Sequence, residues 1–254
     1  MERNTYIDNV DVDKALETYL EELSIQGESE EITVYDSLGR ITWGAIYAKV
    51  SSPAYNASAM DGIAVTSKRT EGANESKPLT LVEEVDFKYV NTGNPIKDPY
   101  DAVIMIEDVL QGEEGKVQIL RPAYPYQHVR QIGEDIVATE MILPSRHRIR
   151  PMDIGALISG GIESVNVYKS PRIGIIPTGS EIVEDASQVR EGTIIDSNSH
   201  VFKGLVESLG GMAKRYPPME DDYEKLKDLI SQAVEENDMI IINAGSSAGT
   251  KDFT

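Results

Sequence analysis

The sequence predicts an α+β protein of several domains, in which a β-rich region precedes a doubly wound α/β domain. Three observations lead to this prediction. The chain has 254 residues, enough for one large domain or two ordinary ones. Short runs rich in valine and isoleucine recur at roughly ten-residue spacing between positions 51 and 150. Beyond position 170, strand-like and helix-like segments alternate, a pattern typical of a parallel sheet.

The first predicted element is an amphipathic helix. Apolar residues within 10–23 recur at i, i+3 and i+4, and Asp11 or Asn9 is available to cap the helix start. The apolar spacing then shortens, which predicts a strand around 32–35 and an extended or short helical stretch over 41–50.

The next hundred residues indicate a compact all-β module. Glycine and proline clusters separate its apolar runs, which predict strands at 63–65, 79–85, 101–105 and 116–120. Pro151 then opens a short helix that ends near Gly160 and Gly161. A domain boundary is expected near Ser170 and Pro171.

The remaining chain has the order β-α-β-α-β. Asp196 or Ser197 is expected to cap its first helix, which ends at Leu209 before a glycine. The last strand is apolar on both faces and is therefore predicted to be buried. No helix follows that strand, so we expect the chain to be a fragment. The predicted strands are 172–176, 213–216 and 238–243, and the second helix is 221–236.

Composition excludes several classes of protein. There are 43 acidic and 24 basic side chains, giving a formal charge of −19. This charge disfavours nucleic acids and anionic membrane surfaces as partners, because both are bound largely through Lys and Arg. The absence of cysteine excludes disulfides, thiolate metal sites and cysteine nucleophiles. No run approaches about 18 apolar residues, and residues 1–9 lack the apolar core of a secretory signal, so a cytoplasmic location is expected.

Three polar loops follow the strands of the predicted parallel sheet, at 178–181, 219–222 and 245–249. Such sheets bind ligands at the carboxyl ends of their strands. Small residues allow backbone N–H groups to approach an anion, so phosphate is the expected ligand. None of the loops has Walker or Rossmann glycine spacing. The alternative is that these glycines and serines are ordinary loop residues.

Carboxylates lie among these loops, and an anion site that contains carboxylates needs a bridging cation. Mg²⁺ is the expected one, since it prefers oxygen ligands and bridges to phosphate. The alternative is that these acids are merely solvated, and Asp221 could instead cap a helix. The three histidines show no metal-binding spacing. The four carboxylates are Glu181, Asp221, Asp222 and Asp252, and the histidines are His128, His147 and His200.

Asp61 is a further candidate acid. It lies in the segment 58–62, Ser-Ala-Met-Asp-Gly, immediately before a predicted strand. An aspartate among small residues could line a pocket, or it could be an ordinary turn residue.

Seven short segments occur in a fixed order along the chain, at 58–62, 91–93, 101–108, 133–136, 177–181, 196–198 and 243–254. Taken together, this set resembles the molybdopterin molybdenumtransferase family of the MoeA and gephyrin E-domain type. The resemblance covers nearly the whole chain from the first helix onwards. Each segment alone is weak, and it is their order that is specific.

The resemblance implies both a fold and an activity. Family members insert molybdate into adenylylated molybdopterin in a Mg²⁺-dependent step that releases AMP. The implied domains are an elongated first domain (1–50 plus 140–170), an inserted all-β domain (51–139) and a Rossmann-like molybdopterin-binding α/β domain (171–254). The last is incomplete, and a C-terminal β-barrel is missing. Members work as homodimers whose cleft lies between the α/β domain of one subunit and the β domain of the other.

The resemblance also implies roles for individual residues. It assigns catalysis to Asp61, Glu181, Asp252 and to Asp221 or Asp222, without deciding between the last two. Asp61, Glu181 and Asp252 would hold the metal. The implied substrate-binding residues are Thr92, Thr178, Gly179, Ser180, Gly245, Ser246, Ser247 and Gly249.

Some positions depart from the family pattern. Asn56 and Ala57 stand where Asp-Asn is usual, and Ser180 stands where Asp is frequent. These departures affect the substrate details more than the reaction class. Two other functions stay open, namely a non-catalytic molybdopterin-binding or scaffolding protein and an unrelated phosphate-ester enzyme.

Overall fold

A computed structural model describes residues 10–23, 27–220 and 222–243. The chain divides into two units. The β-rich unit is Glu31–Val167, and the α/β unit combines Met1–Glu30 with Tyr168–Thr254. No helix within the described ranges is long and apolar enough to cross a membrane.

The described helices are α1 Val12–Glu22, α2 Pro151–Ser159, α3 Asn198–Ser208 and α4 Tyr223–Glu236. The described strands are β1 Ser29–Thr33, β2 Ile46–Tyr47, β3 Ala57–Ser58, β4 Gly62–Val65, β5 Leu79–Val82, β6 Phe87–Val90, β7 Ala102–Met105, β8 Val109–Gln111, β9 Lys116–Ile119, β10 Val129–Arg130, β11 Met141–Leu143, β12 Ser164–Tyr168, β13 Arg172–Pro177, β14 Ile182–Val183, β15 Ile194–Ile195, β16 Met212–Arg215 and β17 Met239–Asn243.

Two three-stranded antiparallel sheets form the main core of the β-rich unit. Their strand orders are β6-β4-β7 and β5-β9-β8. Strand β4 is buried on both faces, which explains its continuous apolar sequence. Ile63 packs with Phe87 and Ile119 in one core cluster, whereas Ala64 packs with Val103 in another.

Helix α2 covers a separate core in the same unit. Pro151 occupies its first turn, where the missing N–H has no helical partner to lose. Asp153 secures this end, because its carboxylate accepts hydrogen bonds from the backbone N–H and the guanidinium of Arg150. Leu157 then packs against Val34 and Ile149.

The α/β unit contains the predicted parallel sheet, with strand order β16-β13-β17. Strand β13 comes first in the chain but lies between the other two, so it is the most buried of the three. On one face, Ile176 and Tyr216 pack against Leu226 and Ala233 of α4. This alternation of strands and helices confirms the predicted β-α-β-α-β order.

Several local predictions need correction. Strand β17 is not buried as predicted, because among the described strands it lies at a sheet edge, and Met239 is exposed. The strand predicted at 32–35 ends at Thr33, and a 3-10 turn follows at Val34–Asp36. Strands β6 and β8 have mixed polar and apolar residues and were not predicted.

Candidate functional site

Asp61 and Thr92 are 31 positions apart in sequence and meet in the β-rich unit. The backbone N–H of Thr92 donates to Asp61 Oδ1 at 2.7 Å, and the Thr92 hydroxyl donates to the same oxygen at 3.0 Å. These hydrogen bonds, the backbone one first, lower the pKa of the exposed Asp61 carboxyl from its ordinary value. Asp61 therefore presents a fixed negative charge at neutral pH.

Backbone hydrogen bonds hold these two segments together. Gly93 N–H donates to Ser58 C=O at 2.8 Å, and Ser58 N–H donates to Asn94 C=O at 2.8 Å. Ile106 N–H donates to the carbonyl of Asp61 at 3.0 Å. Because main-chain hydrogen bonds hold the two segments together, the backbone fold helps to position the Asp61 carboxylate. The rotamer of the Asp61 side chain does not determine this position alone.

Gly62 is required by the close approach of two strands. It pairs with Met105 in β7, and a Cβ at position 62 would lie 2.0 Å from the carbonyl oxygen of Ile104. No side chain fits that space, which explains why glycine follows Asp61.

Arg130 is a charged residue near this segment that was not singled out from the sequence. It lies opposite Ala57 where β10 pairs with β3, next to the segment that carries Asp61. Its guanidinium donates to both carboxylate oxygens of Asp135 at 2.6 Å and to Glu134 at 3.2 Å. The sequence feature that could have indicated this ion pair is an arginine placed four and five residues before two acidic residues.

A cavity of about 490 Å³ lies in the β-rich unit, lined in part by Glu107, Asp108, Tyr124 and His128. The carbonyl of His128 accepts a hydrogen bond from Ala59 N–H at 2.8 Å, which places this cavity beside the 58–62 segment. The sequence prediction for the histidines concerned metal-binding spacing alone. It did not include a cavity-lining position for His128.

In the α/β unit, the loop 178–181 lies at the topological switch point of the sheet. From β13 the chain passes to β16 on one side of it and then crosses to β17 on the other side. A crevice is therefore expected at the carboxyl end of β13. Thr178 donates through its N–H (3.0 Å) and its hydroxyl (3.2 Å) to Asn243 C=O. Gly179 N–H donates to Met219 C=O at 2.9 Å. These bonds tie the three strand ends together.

Gly179 permits the carboxylate of Glu181 to fold back against the loop. A Cβ at position 179 would lie 2.8 to 3.0 Å from the carboxylate atoms of Glu181, and the φ angle of 139° also favours glycine. The backbone of Glu181 is fixed in turn, because its carbonyl accepts from Ile194 N–H at 2.8 Å.

The strand-end pocket is a cavity of about 690 Å³ formed by residues within 179–190 and 217–220. Gly179 and Ser180 line it. The assignment of these two residues to substrate binding stays a prediction. Arg190 and the Pro217–Pro218 pair also line the pocket and were not singled out from the sequence. Arg190 lies nine residues beyond the Thr-Gly-Ser-Glu loop, too far for a local motif to include it.

The Asp196-Ser197-Asn198 segment has a structural role. The side chain of Asp196 is only 2% exposed and accepts from Arg215 at 3.2 Å. It also accepts from Ser199 N–H at 3.1 Å and from the Ser199 hydroxyl. Of the two predicted caps, the Asp196 side chain therefore bonds the start of α3, whereas Ser197 occupies the N-cap position without a side-chain hydrogen bond. Arg215 additionally binds Glu184 at 2.7 Å, which connects the end of β16 to the wall of the strand-end pocket.

Asp222 is the N-cap of α4, since its carboxylate accepts from Lys225 N–H at 3.1 Å. This contact gives Asp222 a structural role and leaves its assignment to catalysis a prediction. Other predicted site residues lie outside the described residues, namely Asp221, Asp252, Gly245, Ser246, Ser247 and Gly249.

Asp61 and Glu181 are the two predicted magnesium ligands that the structure describes. Asp61 and Glu181 supply the carboxylate oxygens that Mg²⁺ prefers, so their chemistry fits the ion. They belong to different units, however, and the described ranges contain no group of three or more histidines or acids arranged to hold a metal. The third predicted ligand, Asp252, is outside those ranges.

Comparison with known proteins identifies the family. A model of the MoeA N-terminal region (domain I and II) matches residues 10–161, more than half of the chain. The chain belongs to the MoeA family. A second model, a probable molybdopterin binding domain, matches residues 174–254, which include the loop 178–181. The predicted resemblance is thereby confirmed.

Individual relatives agree with this assignment. The chain is 34% identical to a putative molybdopterin biosynthesis protein of Methanocaldococcus jannaschii over 94% of its length and 63% of the relative's. It is 29% identical to a molybdopterin molybdenumtransferase of Haemophilus influenzae, covering 96% of this chain and 63% of that one. The crystal structure of a MoeA protein from Pyrococcus horikoshii superposes with a TM-score of 0.82 at 31% identity, covering 91% of this chain and 65% of that one.

These comparisons support the predicted fold class, an α+β multidomain protein with a β-rich region and a C-terminal α/β region. The chain spans slightly less than two thirds of the length of these relatives. The predicted domain boundaries at positions 50, 139 and 170 stay predictions.

Proposed function

We propose that the protein acts in molybdenum cofactor biosynthesis as a molybdopterin molybdenumtransferase. In this proposal it inserts molybdate into adenylylated molybdopterin, with Mg²⁺-dependent release of AMP. The supporting observation is the position of the 178–181 loop, which lies at the switch point of a parallel sheet within the region matched by the molybdopterin binding domain model.

The loop suits an anionic ligand. Hydrogen bonds from Thr178 and Gly179 to the carbonyls of Asn243 and Met219 fix its backbone, so the loop need not reorganise when charge develops on the ligand. Thr178 is 8% exposed and its hydroxyl donates to a carbonyl, so in the proposal it positions the loop. Gly179 and Ser180 line the pocket and contact the ligand. The proposed ligand-binding set also includes Thr92, Gly245, Ser246, Ser247 and Gly249.

Asp61, Glu181 and Asp252 are the residues that would hold Mg²⁺. When bound, the ion would neutralise charge on the phosphate of the departing AMP. Thr92 contributes by keeping Asp61 ionised, since its two hydrogen bonds favour the carboxylate form. Asp221 or Asp222 completes the proposed acidic set.

A cytoplasmic homodimer is part of the proposal. The family resemblance assigns the Asp61 segment of one subunit and the α/β domain of its partner to a shared cleft. Both substrates are anions and the chain carries a formal charge of −19. Local donors and a divalent cation are therefore needed to bind them.

The test is AMP release from adenylylated molybdopterin, measured by chromatography with the full chain, molybdate and Mg²⁺. We expect turnover, and we expect Asp61→Asn and Glu181→Gln each to lower it about 100-fold, as for loss of charge stabilisation in a transition state. Glu235→Gln is the matched control, because Glu235 is an exposed glutamate on α4.

Three results would contradict the proposal. Full turnover in both the Asp61 and the Glu181 variant would remove these residues from the mechanism. Tight binding of molybdopterin without AMP release in the wild-type chain would favour the non-catalytic binding or scaffolding function. Stabilisation by a sugar phosphate but not by molybdopterin would favour an unrelated phosphate-ester enzyme.

A further inference from the structure

The strand-end pocket contains one ionisable side chain that differs from the others. Three such side chains line it, Glu184, Arg190 and Glu220. Both glutamates are already paired. The guanidinium of Arg215 donates to Glu184 at 2.7 and 3.3 Å, and Lys225 lies 3.5 Å from Glu220.

Arg190 has no such side-chain partner within the described ranges of the chain. Its backbone, in contrast, is anchored. Arg190 N–H donates to the Thr193 hydroxyl at 2.8 Å, and Thr193 N–H donates to Arg190 C=O at 3.0 Å. The position of Arg190 is thus determined by the turn, while its five guanidinium donors stay available to a ligand.

We propose that Arg190 determines ligand specificity in the strand-end pocket by binding the phosphoryl group of a phosphorylated organic ligand. The inference rests on the proposed function and goes beyond it, because neither the motifs nor the loop geometry assigns Arg190 a role. A guanidinium matches phosphate oxygens in a bidentate arrangement that lysine does not reproduce. In a chain with a formal charge of −19, an available cation in a ligand pocket also offsets repulsion of the anion.

Arg215 makes this availability possible. By binding Glu184, it holds one of the two pocket carboxylates in an ion pair with a strand residue, so that Glu184 does not occupy Arg190. Asp196 shares the same guanidinium and is itself held by the start of α3. Arg215 is therefore a positioning residue, and Arg190 is the group that touches the ligand.

The test compares Arg190→Gln, Arg190→Lys and wild type for equilibrium binding of molybdopterin and of dephosphorylated molybdopterin. We expect Arg190→Gln to bind the phosphorylated ligand about tenfold more weakly, or about 1.4 kcal/mol. Arg190→Lys should lie between, at roughly threefold, because it keeps the charge but loses the bidentate geometry. All three proteins should bind the dephosphorylated ligand equally. Arg146→Gln is the matched control, since Arg146 is also exposed and without an ion pair in the described chain.

A second measurement follows the guanidinium Nε–Hε resonance of Arg190 by NMR during titration with AMP, inorganic phosphate and molybdate. A shift with AMP or phosphate supports the inference even if AMP release fails, in which case only the proposed function falls. Equal affinity of Arg190→Gln and wild type for phosphorylated molybdopterin overturns the inference, even if turnover is normal. A shift with molybdate alone, or with none of the probes, overturns it as well.

Discussion

Replacing Gly62 with alanine should strongly destabilise the β-rich unit. The added Cβ would lie 2.0 Å from the Ile104 carbonyl oxygen, 2.9 Å from the Ile104 carbonyl carbon and 3.0 Å from Met105 Cα. Ordinary contact begins at 3.4 Å, so the deficit exceeds 1 Å. The obstacle is backbone, which has no rotamer into which it could move. Strands β4 and β7 must therefore separate. We expect the free energy of unfolding to fall by about 3 kcal/mol, the upper end of the usual cost of overpacking a core.

Gly155→Ala is the matched control for this change. Gly155 lies within α2, its φ is not in the left-handed region, and nothing lies within 4 Å of the added Cβ. The same substitution should here stabilise the protein by about 0.5–1 kcal/mol, because alanine loses less backbone entropy in a helix. The two variants thus have opposite predicted signs.

Urea unfolding provides the assay, followed by far-UV circular dichroism and by fluorescence. The single tryptophan, Trp43, lies in the β-rich unit and reports on it. Native-state hydrogen exchange at Ile63 and Ala64 adds a local measure, since both amides lie in β4. A surface substitution usually changes the free energy of unfolding by no more than about 0.5 kcal/mol. If the free energy of unfolding of Gly62→Ala lies this close to the wild-type value, the steric reasoning is refuted.

Two further predictions concern carboxylates. The guanidinium of Arg150, and then the His147 ring, hold the pKa of Asp153 well below its ordinary 3.8, so its stabilisation is present above pH 3.8 and is lost as the pH falls through the lowered value. Asp153→Asn should therefore lower the free energy of unfolding by about 2 kcal/mol at neutral pH. In urea titrations, the difference in this free energy between variant and wild type should narrow below pH 4. A pH-independent difference would contradict this prediction. Thr92→Val removes the hydroxyl donor but keeps the N–H donor, so the pKa of Asp61 should rise partway to its ordinary value. An NMR titration of the Asp61 carboxyl carbon measures this pKa. An unchanged pKa would exclude a contribution of the Thr92 hydroxyl.

The local elements follow from sequence because their causes are local. The apolar period and the cap at Asp11 predict α1, and Pro151 predicts the start of α2. The apolar run of β13, followed by Thr178 and Gly179, predicts a buried strand with a ligand loop. Periodicity and turn chemistry operate within a few residues, so a single sequence is enough to detect them.

The tertiary structure alone decides which distant residues meet. Thr92 reaches Asp61 because β6 pairs with β4, and Arg215 reaches Glu184 and Asp196 across 31 and 19 positions. The incomplete burial of β17 likewise depends on strand order, which its own apolar residues do not encode. Pairing partners and register are set by the packing of the whole sheet. The family motifs therefore supplied the candidate residues, whereas the fold determined the hydrogen bonds that ionise Asp61 and the ion pairs that leave Arg190 available.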